Sequence, residues 1–149
     1  MSDKIPELIN RPIGFIGLGF MGKPMARNLK AAGATMIVHS RSAGPVEELE
    51  AEGMTGAATP AEVAAQAETI ILMLTDTAAV EFVLTGPNSV LAGLTPGTLV
   101  IDMGTTLMTT TRDLAALVHD AGGAYLDAPV SGGTMGAKAG TLTIMAGGD

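Results

Sequence analysis

Ile13-Gly-Phe-Ile-Gly-Leu-Gly-Phe-Met-Gly-Lys-Pro-Met-Ala-Arg-Asn-Leu-Lys-Ala-Ala-Gly33 reads as a strand, a glycine turn and a helix in direct succession. The apolar run 13–16 leads straight into Gly17-x-Gly19-x-x-Gly22. Met21, Met25 and Leu29 then recur at i, i+4 and i+8, which puts them on one helical face. Pro24 falls in the first turn, where a missing N–H costs nothing, and Gly33 suits a left-handed stop. This is the context in which G-x-G-x-x-G points to dinucleotide binding. Gly17 permits the tight turn, Gly19 lets the backbone approach a pyrophosphate, and Gly22 lets the helix pack close to the strand. The helix N-terminus adds free N–H groups and the positive end of the dipole.

Working outward, strands and helices alternate. Strands are expected over 35–39, 54–57, 69–74, 98–102, 124–127 and 141–146, and helices over 45–52, 60–67, 76–84 and 109–121. Thr59 is placed to cap the helix beginning at Pro60, with Glu62 three residues after the cap, a capping-box arrangement. Asp76 is placed to cap the next helix, and Pro96-Gly97 forms a turn. The run 69–74 is apolar on both faces, the pattern of a central parallel strand. The expected fold is α/β: a Rossmann-type, doubly wound, mostly parallel sheet with helices on both faces. Residues 1–11 read as a loose arm, and 12–149 as one nucleotide-binding domain.

Composition bounds the function. The chain has 149 residues, 47% hydrophobic and 15% charged, which suits one packed domain and not disorder. A net charge of −7 argues against nucleic acid as a partner. Cysteine is absent, so there is no disulfide framework, thiolate nucleophile or thiolate metal site. No His, Asp or Glu cluster has metal-ligand spacing. The polar N-terminus is no signal peptide, and the longest apolar run, 70–74, is far too short for a bilayer. The expected location is the cytoplasm.

The residue after the second strand reads the adenosine ribose in this fold, through a carboxylate for NAD or an Arg for NADP. Here the stretch is Val38-His39-Ser40-Arg41-Ser42, without a carboxylate. Arg41 supplies a planar fork for a 2′-phosphate, and Ser40 and Ser42 supply hydroxyl donors. The expected cofactor is therefore NADP in preference to NAD.

Asp127-Ala-Pro-Val-Ser-Gly-Gly133, taken with Gly17-Leu-Gly-Phe-Met-Gly22, resembles the β-hydroxyacid dehydrogenase family. That family includes 3-hydroxyisobutyrate dehydrogenase, tartronate semialdehyde reductase, the glyoxylate and succinic semialdehyde reductases, 6-phosphogluconate dehydrogenase and the imine reductases. The resemblance runs from Ile13 to Asp149. It implies that Gly17, Leu18, Gly19, Phe20, Met21 and Gly22 hold the pyrophosphate, and that Ser40 and Arg41 hold the 2′-phosphate. Met73 and Leu74 would pass the adenosine side, and Thr105 would lie near the nicotinamide. Ser131, Gly132 and Gly133 would meet the carboxylate of a small substrate.

Chemistry in the family is hydride transfer between the nicotinamide and a carbonyl carbon, with a Lys acting on the substrate oxygen. That Lys lies beyond Asp149, and Lys138 does not match its position. No catalytic residue is therefore expected in this chain, which lacks the family's all-helical C-terminal domain and should be inactive alone. The parent enzyme would be a homo-oligomer, and apolar surface left bare around 131–146 would favour self-association. A semialdehyde or glyoxylate reductase is the preferred reading, with 3-hydroxyisobutyrate dehydrogenase next. The turn 102–105 lacks the Asp-Gly-Gly-Asn of 6-phosphogluconate enzymes. A non-catalytic dinucleotide-binding module and an imine reductase relative are the alternatives. Asp102 and Asp127 read as caps and turn-formers, and His39 as a neighbour of the adenine pocket or an exposed side chain.

Overall fold

Period-two alternation in the strands produces a sheet with two apolar faces, and the helices divide between them. The computed structural model describes residues 4–148. Its strands are β1 (Pro12–Ile16), β2 (Thr35–His39), β3 (Thr55–Gly56), β4 (Thr69–Leu72), β5 (Leu99–Asp102) and β6 (Ala124–Asp127), with a separate short pair, β7 (Val130–Ser131) and β8 (Thr143–Ile144). The helices are α1 (Gly22–Ala31), α2 (Ala43–Ala51), α3 (Pro60–Gln66), α4 (Thr77–Thr85), α5 (Val90–Gly93), α6 (Met108–Asp120) and α7 (Gly133–Ala139). The six-stranded sheet has the order β3-β2-β1-β4-β5-β6, every neighbouring pair parallel. That order is the doubly wound one, reversing direction between β1 and β4.

Successive strand residues go to opposite faces. Ile16, Ile37, Ile70, Leu72 and Val100 pack with Val63, Val80, Leu84, Val90, Leu114 and Val118 of α3 to α6. Phe15, Val38 and Ile71 pack the other way, with Met25, Leu49 and Ala137 of α1, α2 and α7. On this second face the cover over β4 to β6 is thin. A cleft of about 400 Å³ opens there, lined by Met25, Leu29, Ile71, Ile101, Leu126 and Leu142. Two cations on α1 join it to α2. Lys23 Nζ lies 2.9 Å from Glu48, and Arg27 lies 2.9 Å from Glu48 and 2.8 Å from Glu52. The Lys23 ammonium, then Arg27, holds Glu48 below the usual carboxylate range, and Arg27 does the same for Glu52.

Local signals set the helix starts. Thr59 Oγ1 accepts the Glu62 N–H at 3.2 Å, while Glu62 Oε2 reaches back to the Ala58 N–H at 2.8 Å. Asp76 Oδ1 accepts the Ala79 N–H at 2.8 Å.

Four features differ from the sequence reading. Residues 5–11 are tied down: Ile5 N–H donates to Ala32 O at 2.8 Å and Asn10 N–H to Gly33 O at 2.9 Å, with a 3-10 turn at Pro6–Leu8 between them. Met1 to Asp3 of the expected arm lie outside the described residues. β4 stops at Leu72, because Met73 and Leu74 turn into a loop against Gly17. The strand expected over 141–146 shrinks to β8, which pairs antiparallel with β7, followed by a bridge from Gly147 to Asp127. Helices α5 and α7 were not expected. Among the described residues no helix is long and apolar enough to cross a membrane.

Candidate functional site

The carboxyl ends of the parallel strands line up their loops in one row. Gly17 N–H donates to His39 O at 3.1 Å, Met73 N–H to Ile16 O at 2.9 Å, Met103 N–H to Leu72 O at 2.9 Å, and Ala128 N–H to Asp102 O at 2.8 Å. Each loop thus starts by continuing the ladder of the strand beside it. Four strand spacings separate β2 from β6, about 19 Å, which is room for an elongated ligand laid across the edge.

At the centre of the row is the glycine loop. Gly17 has φ +105°, the left-handed region, and a Cβ there would run into the Met73 carbonyl. A Cβ on Gly22 would fall on the Gly17 carbonyl oxygen, so the loop closes on itself only without that atom. At Gly19 a Cβ meets nothing within 4 Å, which leaves the backbone open to whatever lies above it. Helix α1 starts here with no side-chain cap and no acidic residue in its first turn. Lys23 N–H is engaged by the Gly19 carbonyl at 3.2 Å and Pro24 has no N–H, so an anion here would meet the dipole end and the N–H groups of the glycine loop itself. Leu18 is buried in the core, Met21 is half-buried, and Phe20 is exposed. Leu18 can meet a ligand only through its backbone.

Towards β2, Ser40 and Arg41 line a cleft of about 390 Å³ together with His39, Glu47, Glu50 and residues 56–58. Arg41 has no ion-pair partner among the described residues. Ser42 stands apart, at the N-cap of α2. The two glutamates on α2 are the part of this cleft that attention to 38–42 alone left out. They sit at helical spacing, three residues apart, and that spacing is the signal that could have placed both on one face.

Towards β5 and β6, Thr105 is exposed on a turn organised by Asp102. The fully buried Asp102 carboxylate accepts the Gly104 N–H at 3.0 Å, the Thr106 hydroxyl at 2.5 Å and the Tyr125 hydroxyl at 3.3 Å. Burial, and then the Asp102 charge, push the Tyr125 phenol up, and the same two causes push Asp127 up. Ser131 closes β7, and Gly132 (φ +136°) and Gly133 (φ +61°) turn the chain into α7, all three exposed. Lys138 lies in the last turn of α7, at the far end from Gly133. The row thus brings Arg41, the glycine loop, Met73, Leu74, Thr105 and the Ser131–Gly133 turn to one edge, in that order of strands.

Known proteins resemble this chain in sequence and in fold. The chain is 44% identical over 138 residues to 2-hydroxy-3-oxopropionate reductase of Escherichia coli (strain K12), covering 92% of this chain and 47% of that protein. The solved structure of Mycobacterium tuberculosis 3-hydroxyisobutyrate dehydrogenase with L-serine matches with a TM-score of 0.88 at 38% identity, over 95% of this chain and 47% of that one. Psf3 in complex with NADP+ and 2-OPP matches with a TM-score of 0.86 at 33% identity, over 92% and 49% of the two chains. The chain spans about half the length of the curated relatives it matches. The family described as the NAD binding domain of 6-phosphogluconate dehydrogenase matches residues 12–149. The chain therefore belongs to that family of NAD-binding domains.

Proposed function

We propose that this chain is the cofactor-binding part of an NADP(H)-dependent oxidoreductase that interconverts a small β-hydroxy acid and its semialdehyde or oxo acid. One observation carries the reading: the open space over Gly19, bordered by the start of α1 without a side-chain cap, with Arg41 on the next loop, engaged by no carboxylate among the described residues. The residues present fit a dinucleotide. The loop Gly17 to Gly22 would hold the pyrophosphate through backbone N–H groups beyond that of Gly17, which the His39 carbonyl already engages, and Ser40 and Arg41 would hold the 2′-phosphate. Met73, Leu74 and Thr105 would border the adenosine and nicotinamide sides. Psf3, solved with NADP+, supports the same choice of cofactor.

The nicotinamide, when bound, supplies or accepts the hydride at the substrate carbon. The residues of this chain bind and orient: Ser131, Gly132 and Gly133 offer a hydroxyl and N–H groups to the substrate carboxylate. A proton donor to the substrate oxygen must lie within hydrogen-bond reach, and Lys138 is at the wrong end of α7. The chain alone therefore binds cofactor without turnover. The exposed Met135, Ile144 and Met145 beside the substrate turn give an isolated chain a surface for self-association.

Calorimetric titration tests the reading. NADPH should bind tighter than NADH, and Arg41→Ala should weaken NADPH by roughly 10- to 100-fold, the worth of a charged hydrogen bond at about 1.5–3 kcal/mol, while sparing NADH. Equal Kd values for the two cofactors would sink the NADP assignment.

A further inference from the structure

The cleft at the end of β2 contains a group that the Arg41 reading leaves unused. His39, the last residue of β2, lines it with Ser40, Arg41, Glu47 and Glu50. His39 Nδ1 lies 3.0 Å from the Ala57 carbonyl oxygen. A carbonyl only accepts, so Nδ1 carries a hydrogen. Nε2 has no protein partner among the described residues and is the nitrogen left for a ligand. A neutral ring of this tautomer accepts at Nε2, whereas a protonated ring donates there.

The charged groups around the ring are few. Arg41 adjoins it on the β2–α2 loop, and Glu47 and Glu50 come from α2. Residues 56–58 carry no side-chain charge, and Glu62 of α3 is engaged by the Ala58 N–H at 2.8 Å. One guanidinium against two carboxylates makes the lining net negative. A sugar phosphate entering this cleft needs a second cation, and an imidazole is the side chain that becomes one near neutral pH.

We infer that His39 is a specificity-determining contact that takes up a proton when a 2′-phosphorylated dinucleotide binds, its Nε2–H then donating to the phosphate beside Arg41. The inference rests on the NADP(H) reading and adds a second contact to the same phosphate. The proton passes from solvent or buffer to Nε2, forming its N–H bond, and no bond between heavy atoms changes. Imidazoles change charge near pH 6.5, and a neighbouring phosphate favours the protonated form. The complex then holds more protons than its free partners at pH 7, so affinity falls as pH rises.

Calorimetry of the 149-residue chain at pH 7, in two buffers of different ionisation enthalpy, tests this. NADPH binding should take up about half a proton and NADH none, and NADPH should bind about threefold more weakly at pH 8.5 than at pH 7. His39→Gln should abolish both effects. The uptake is measured on the unaltered chain, so it stands even if that variant does not fold. Tighter binding of NADPH than NADH without uptake overturns the His39 role and leaves Arg41 standing, as does release of a proton by the phosphate. Uptake that persists in His39→Gln places the proton on another group, a cleft carboxylate or the phosphate itself, and also overturns it. NADPH binding no tighter than NADH overturns the 2′-phosphate reading itself.

Discussion

A methyl group added at Gly19 and one added at Gly22 meet opposite surroundings, and this separates stability from binding within one loop. The Gly22 methyl collides with the Gly17 carbonyl, whereas the Gly19 methyl has open space. Gly22→Ala should lose about 1–3 kcal/mol, the range for overpacking, together with dinucleotide binding. Gly19→Ala should melt at or slightly above the unaltered chain, since its φ is not in the left-handed region and removing a glycine restricts the unfolded chain. Its NADPH affinity should nevertheless fall at least tenfold. Melting curves and titrations on the two variants check this, and full affinity in Gly19→Ala would mean the ligand lies elsewhere. Residue identity alone marked Gly17 as a tight turn and Gly22 as a place of close approach, and the structure has both. The partners were not legible: that Gly17 abuts Met73, or that Asp102 holds the Gly104–Thr106 turn, depends on strands far apart in sequence coming to one edge.

At the scale of elements, a start signal is worth about as much as a small core substitution. The Asp76 carboxylate caps α4 through the Ala79 N–H, so Asp76→Ala should cost about 1 kcal/mol. That lowers the melting temperature by roughly 2–4 °C. Asp76→Ser should recover most of the loss in the same scan, because a hydroxyl can accept the same bond. Elements with such signals were the legible ones, as Thr59-Pro60 and Asp76 show. Helix α7 was not. Its sequence, Gly-Thr-Met-Gly-Ala-Lys-Ala, has poor helix propensity and no apolar stripe. What holds it is tertiary: Asn28 Nδ2 on α1 donates to the Ala137 carbonyl at 2.7 Å, and Leu142 lies against Gly136. The two-residue β8 was overextended for the matching reason, since an apolar run states a preference and only a partner strand sets its length.

For the whole molecule, the single tyrosine offers a view of folding from the alkaline side, with no tryptophan to obscure it. An unfolded phenol ionises near pH 10, whereas burial and the Asp102 charge keep the native Tyr125 protonated to higher pH. Above pH 10 the native chain then binds more protons than the unfolded one, so stability falls as pH rises, by up to about 1.4 kcal/mol per unit. Urea midpoints between pH 9 and pH 11 should fall accordingly, and in Tyr125→Phe this component should vanish. A midpoint unchanged across that range in the unaltered chain would contradict the buried Tyr125–Asp102 contact.

The ion pairs between α1 and α2 also decide what kind of grip the cradle has. Lys23 and Arg27 stand in the opening turns of α1, where loose side-chain cations would gather round an incoming diphosphate. Glu48 and Glu52 already engage both. The diphosphate is left to peptide N–H dipoles, a handhold without formal charge, and Arg41, without an ion-pair partner among the described residues, is the cation left for the sugar phosphate. Raising the ionic strength should therefore loosen NADPH much more than NADH.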